Sequence, residues 1–234
     1  LGILQTYWGS LIALDGTIGA YMEERAQVMA RGVEENLRER LATLSLAGRD
    51  ERLIRFLSTP SPIIGQPDES AGMLRNIFQD TILSGRDVFV YDMEGECLAA
   101  SRPDPPVILD APWLPQAASL GPGDTFAAFV SGPNRQEPRV LFISPMTLPD
   151  SPDTRFFLVH DLAMNDILKI PVFTGESERW TIGLHVSPAN LIFGINHPEK
   201  VAPVLEPRLG TLRNRFSGWF ATQEIGREKH IIAF

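Results

Sequence analysis

Asp161 follows His160 at the end of the apolar run Arg155 to Asp161, and with Ser144 these are the residues whose types could support hydrolysis. Such chemistry needs a nucleophile, a base and an orienting carboxylate that converge on one point. Neighbours on a strand point to opposite faces, and no serine lies in a G-x-S-x-G elbow, so the chain reads as a non-enzyme. What remains is binding. Asp161 at a sheet mouth offers a carboxylate to a ligand; read structurally, it caps a helix starting at Leu162. Trp113 can floor a pocket or cover a core, since its indole serves either. Phe89 and Tyr91 share one face of a strand, with Val88 and Val90 on the other, which puts Tyr91 at a pocket if the second face meets the helices. Arg102 could bring a positive charge from the neighbouring strand or remain solvated.

Metal and redox chemistry find little support. His160, His185, His197 and His230 lie far apart without i, i+4 or C-x-x-C-like spacing, and His197, before Pro198, suits a turn. Cys97 is the single cysteine, so no internal disulfide and no thiolate pair can form, and a small buried hydrophobe is its expected role. No cofactor is indicated. With 21 basic against 29 acidic residues, a net charge of −8, the chain lacks the positive footprint that nucleic acid requires. Hydrophobic content of 44% and charged content of 21% are those of a globular protein long enough to bury a core.

The elements that must position these residues begin with a helix. From Ile3 apolar residues recur every three or four positions through Trp8, Leu11, Ile18, Met22, Met29, Val33, Leu37 and Leu44, opposite an acidic and basic face. A helix of about 45 residues would extend roughly 65 to 70 Å, a spine that touches more than one module or pairs with a copy of itself. Two helices broken near Gly16 or Gly19 are the alternative. Leu1 to Met22 is apolar enough in length for a bilayer, but Asp15 opposes insertion, so this stretch reads as a helix that a preceding membrane segment leads into. The sequence itself, starting without Met and stopping in the strand-like HIIAF, reads as a piece of a longer chain.

Glu51 to Leu57 follows as a short helical piece, then a proline-rich loop over Thr59 to Ser70 and a helix over Ala71 to Leu83. Val88 to Arg102, VFVYDMEGECLAASR, reads as a β-hairpin turning on Asp92, Met93, Glu94 and Gly95. A short helix over Ala111 to Leu120 precedes strands at Thr125 to Ser131, Arg139 to Ser144 and Arg155 to Asp161, joined by turns that suggest an antiparallel sheet. Leu162 to Ile170 reads as a helical connector. Strands at Trp180 to Val186, Leu191 to Ile195, Phe216 to Thr222 and Lys229 to Phe234 complete the chain.

The hairpin's form, an apolar strand then Asp, x, x, Gly, x, x, Leu-Ala-Ala-Ser after a long helical region, resembles the central hairpin of Cache domains, the PAS-like extracytoplasmic sensor modules of bacterial receptors. The order of elements resembles a double Cache region. That resemblance implies an α+β fold with a helical spine over 1–57, a membrane-distal module over 58–170 and a smaller proximal module over 171–234, incomplete at its C-terminus. It also implies the extracytoplasmic, periplasmic part of an inner-membrane histidine kinase, chemoreceptor or diguanylate cyclase, homodimeric through its N-terminal helix, that binds a small molecule. A periplasmic dimerisation or protein-binding module is the alternative.

Cache modules that bind amino acids carry Tyr, four residues, Arg, x, Trp, Tyr, two residues, Ala, then a later Tyr and an Asp. Trp113, Ala117 and Asp161 fall in register with that pattern. Pro106, Ala111 and Leu114 replace the first Tyr, the Arg and the second Tyr, and Phe129 stands for the later Tyr. Without the guanidinium at 111 the usual carboxylate clamp is missing. The resemblance therefore leaves an apolar ligand, a cation or amine at Asp161, or no small molecule. Asp161, Trp113, Phe129, Tyr91 and Arg102 are the candidate ligand residues.

Overall fold

The computed structural model describes residues 2–58, 67–79, 83, 86–102, 113–121, 123–130, 139–149, 151–168, 182–186, 191–195, 219–225 and 228–233. The protein is α+β. Helix α1 runs unbroken over Gly2–Ala47, 46 residues, so neither Gly16 nor Gly19 interrupts it. At about 1 kcal/mol each, two glycines cannot stop a helix surrounded by good helix formers. It ends where the amide of Gly48 donates to Leu44 O at 2.9 Å. Asp50 then caps helix α2 (Glu51–Ser58) by accepting from the amide of Arg52 at 2.8 Å. Among the described residues no helix is long and apolar enough to cross a membrane.

Helix α3 spans Pro67–Phe78, starting and ending earlier than the expected Ala71 to Leu83. Pro67 serves the first helical turn, where a missing amide costs nothing. The rest of the expected loop, and the region around Ile82 and Gly85, lie outside the described residues.

A five-stranded sheet follows, in the order β2-β1-β5-β4-β3, from β1 (Asp87–Tyr91), β2 (Cys97–Ala100), β3 (Phe126–Val130), β4 (Arg139–Leu148) and β5 (Ser151–Ala163). Every described pairing in it is antiparallel. The β1–β2 hairpin forms where expected: Asp92 Oδ1 accepts from the amides of Glu94 at 3.0 Å and Glu96 at 2.8 Å, and Gly95 takes φ 85°. Strands β4 and β5 are longer than the sequence suggested, pairing as far as Leu148↔Ser151. The expected turn PMTLPDSPD is thus largely strand, because cross-strand pairing and apolar burial at Met146 and Phe156 outweigh its turn-forming composition.

Helix α4 (Leu114–Ser119), with Pro115 in its first turn, lies between the hairpin and β3 and is shorter than the expected Ala111 to Leu120. Helix α5 is described over Met164–Leu168, and the rest of the expected connector, to Ile170, lies outside the described residues. The connector expected from Leu162 is strand at that point, and the register carries β5 to Ala163 opposite Arg139.

The register divides the sheet's side chains between two faces. Phe89, Tyr91, Leu141, Ile143, Phe157 and Val159 form one buried cluster with Ala100, Trp113 and Ala117, so α4 covers this face. The other carries Val88, Val90, Phe142, Leu158 and His160, all buried, on the side of α1, α2 and α3.

The chain divides into two compact units, Asn36–Ile167 and a second comprising Leu1–Glu35 with Leu168–Phe234. The second contains two antiparallel hairpins, β6 (Ile182–Val186) with β7 (Leu191–Ile195) and β8 (Trp219–Ile225) with β9 (Glu228–Ala233). These fall within or beside the four strands expected there.

Candidate functional site

At one end of the α4-covered face the sheet gathers four charges. Asp87 of β1 is paired in register with Asp161 of β5, which sets two carboxylates side by side on neighbouring strands. Such an arrangement is unfavourable unless cations intervene, and two do. Arg139 Nε donates to Asp161 Oδ1 at 2.5 Å, and Arg102 Nη2 donates to Asp161 Oδ2 at 3.4 Å. Arg102 also reaches Asp87 at 2.9 Å, and Arg139 reaches it at 3.7 Å.

Local structure explains each position. The amide of Ser101 donates to Val88 O at 2.8 Å, which sets Arg102 beside Asp87 just past the end of β2. Its guanidinium lies over the Phe89 ring, 5.4 Å from the centroid, a cation–π contact. Arg139 opens β4, and Leu141↔Asp161 in register puts Arg139 on the same face as the carboxylate, one pleat away.

Asp161 is the buried member, its side chain 1% exposed against 38% for Arg102 and 30% for Arg139. Burial pushes the pKa of its carboxyl up, while Arg139 and then Arg102 pull it back. Arg102 Nε is buried with no hydrogen-bond partner among the described residues. Further along the same face the sheet turns apolar: the Trp113 indole packs edge-on against Phe157 with centroids 6.5 Å apart, and Phe157 pairs with the buried Tyr91. Desolvation pushes the Tyr91 hydroxyl well above its ordinary pKa.

The structure thus brings Asp161, Trp113, Tyr91 and Arg102 to one face. It does not bring Phe129, which pairs with Val140 and shares that residue's face, opposite Asp161. Asp161 does not cap a helix, because β5 continues to Ala163 and α5 starts at Met164. Both its oxygens already receive guanidinium donors, so an amine would meet a carboxylate whose charge is already balanced. The positions of Ala111 and Pro106 lie outside the described residues. Asp87 and Arg139 are site residues that sequence reasoning missed. The alternation in Arg139-Val-Leu-Phe-Ile carried a signal for Arg139, but only strand register shows that its face is that of Asp161.

His160 lies on the opposite face with both nitrogens engaged. Nδ1–H donates to Asp87 O at 3.1 Å, which leaves Nε2 to accept from Arg40 at 3.4 Å, and the ring stacks on Phe142 at 5.6 Å. Burial, reinforced by Arg40 and Arg86, lowers its pKa to about 4. The imidazole therefore neither meets Asp161 nor engages Ser144. Among the described residues no group of His, Cys, Asp and Glu is placed to hold a metal ion. Cys97 is half-buried, its thiol pushed up to about 11 by burial.

Solved sensory domains of bacterial receptors share this fold. The ligand-binding domain of the Campylobacter jejuni chemoreceptor Tlp3, in complex with 4-methylisoleucine, is similar at a TM-score of 0.62 and 15% identity, over 93% of this chain and 86% of that one. The sensory domain of the same receptor with isoleucine bound gives 0.58 and 14%, over 94% and 88%. A domain of a Vibrio parahaemolyticus protein assigned to the sensory box/GGDEF family gives 0.58 and 10%, over 94% and 96%. At these identities the likeness is one of fold. No protein-family model matches the chain, and no curated protein matches it.

Proposed function

We propose that this chain is the extracytoplasmic ligand-sensing region of a membrane-anchored receptor of the histidine kinase, chemoreceptor or diguanylate cyclase type. In this reading 58–170 is the membrane-distal Cache module and 171–234 a smaller proximal one that is incomplete at its C-terminus. The observation that carries it is the gathering of Asp161, Arg102 and Arg139 on the same sheet face as the Trp113–Phe157 pair, on a sheet whose fold is that of sensory domains. Function is then binding rather than chemistry. A ligand biases the receptor only by its difference in affinity between two conformations.

The cluster refines the ligand expectation. Arg102 and Arg139 bring to this face the guanidinium chemistry that Ala111 lacks, and both stay partly open to solvent. A carboxylate-bearing molecule would compete with Asp87 and Asp161 for those forks. The Tlp3 structures hold isoleucine and 4-methylisoleucine, so branched amino acids head the test panel, followed by carboxylates, amines, polyols and nucleobases.

The test is thermal unfolding against that panel. A ligand at about 100 times its dissociation constant adds about 2.7 kcal/mol and moves the midpoint by several degrees. Loss of the shift in Arg139→Met and Asp161→Ala supports the reading. No shift with any class turns it toward the protein-binding or dimerisation module. Exposed Ile18, Tyr21 and Val28 on α1, at seam-like spacing, favour pairing of two copies through that helix. Sedimentation of the chain, with Val28→Lys as the variant, tests this second reading.

A further inference from the structure

Strand β3 leaves β4 at Phe126↔Ile143, and from Ser144 to Leu148 the outer edge of β4 carries no strand among the described residues. The chain before β3 turns at Gly123, whose φ is 91°. A Cβ there would collide with Arg49 Nη2, so the guanidinium lies against the glycine. Ser45 Oγ donates to Gly123 O at 3.1 Å and ties this turn to the last turn of α1. Between the open edge, the end of α1 and the start of α2 lies a cleft of about 250 Å³. It stands on the α1-facing side of the sheet, opposite Asp161, because Ser144 pairs with Leu158 and shares its face.

The lining is rich in donors and holds no acid. Arg49 is its one charged residue, in a chain of net charge −8, and forms no ion pair among the described residues. Ser144 is 1% exposed and lines the cleft. Its Oγ lies 3.4 Å from where a Cβ on Gly48 would sit, so it faces the end of α1. Ile54 and Met146 supply apolar wall. A guanidinium fork takes a carboxylate through two parallel bonds, and a buried hydroxyl gains from a charged acceptor. At roughly 30 Å³ per water the space is worth about eight waters, enough for a small acid and not for a drug-sized body.

We propose that this cleft is a second binding site, for a small organic carboxylate with a short apolar tail. Arg49 and Ser144 hold the carboxylate, and Ile54 and Met146 meet the carbon chain. Such a ligand bridges α1 to β4 within one compact unit, and it does so independently of the Asp161 cluster.

The test is an NMR titration of the isotope-labelled chain with sodium butyrate, against sodium chloride at equal ionic strength and n-butylamine as the opposite charge. Saturable shifts at Ser45, Gly48, Gly123 and Ser144 with butyrate alone are expected. Arg49→Met should weaken them tenfold or more and Ser144→Ala several-fold, while Arg102→Met leaves them unchanged. Arg49 is exposed, so its variant should fold, and circular dichroism checks this. Equal shifts with chloride, full binding by Arg49→Met, or loss only in Arg102→Met each overturn the proposal; the last would return the carboxylate to the Asp161 cluster.

Discussion

His160 and Asp161 are consecutive in β5 and stand back to back: the imidazole takes the Asp87 carbonyl and faces Arg40 on α1, while the carboxylate is held by Arg139 and Arg102 on the other face. Asp87 joins both sides, with its carbonyl on His160 and its carboxylate in the charge cluster. Any rearrangement of the cluster that moves Asp87 is therefore felt by the His160–Arg40 contact. That contact is a physical link from the candidate ligand face to α1.

This pairing predicts a pH dependence with a definite sign. An unfolded histidine titrates near 6.5, whereas His160 in the fold stays neutral down to about 4. Between those values the unfolded chain binds the proton and the folded chain does not. Stability is then fully present above pH 6.5 and falls as pH drops, by up to about 1.4 kcal/mol per unit, levelling below 4. Urea midpoints from pH 7 to pH 4 should show a steeper fall for the wild type than for His160→Gln. Equal slopes would refute the assignment.

Removing Asp161 should cost more than its exposed partners suggest. Asp161→Ala removes the buried carboxylate that Arg102 and Arg139 share and leaves Asp87 to answer both guanidinium groups in the cluster. Because both arginines are partly solvated, the expected loss is about 1–3 kcal/mol rather than the full penalty of a buried pair. Denaturant unfolding of Asp161→Ala beside Asp161→Asn measures it, and Asn should recover part of the loss through its remaining acceptor.

Trp113 should matter through packing. It is 5% exposed and meets Phe157 edge-on. Trp113→Ala is expected to cost about 3–5 kcal/mol, and Trp113→Phe, which keeps a ring, clearly less. Thermal unfolding together with near-ultraviolet circular dichroism would check this; a neutral Trp113→Ala would mean that α4 is not part of the core.

The hairpin turn offers a smaller, local effect. Asp92→Ala removes one acceptor from two amides and should cost about 1 kcal/mol. Gly95→Ala forces a side chain onto φ 85° and should cost a similar amount. Combined, they should approach additivity only if the turn frays, which amide exchange at Glu94 and Glu96 would report.

Local signals made several of these features legible before any coordinates. Helical periodicity gave α1 almost to its ends, and the turn chemistry of Asp92 and Gly95 placed the β1–β2 hairpin. Trp113, Ala117, Tyr91 and Asp161 do reach one face. Phe129 and Arg139 were misjudged or missed for one reason. The face a strand residue occupies relative to another strand depends on pairing register, and a one-residue change in register reverses it. Prolines misled in the same way. Pro145 and Pro149 looked like a turn, yet β4 runs through Pro145, because pairing partners rather than composition decide where a strand stops.

Pro145 sits on the stretch of β4 that β3 leaves uncovered. An unpaired edge invites intruding strands from other molecules, and a residue without an amide hydrogen denies them a rung at that point. This one ring guards against sticking between copies of the chain. Pro145→Val would put that safeguard at risk, and clumping on concentration, rather than unfolding, is how its absence would announce itself.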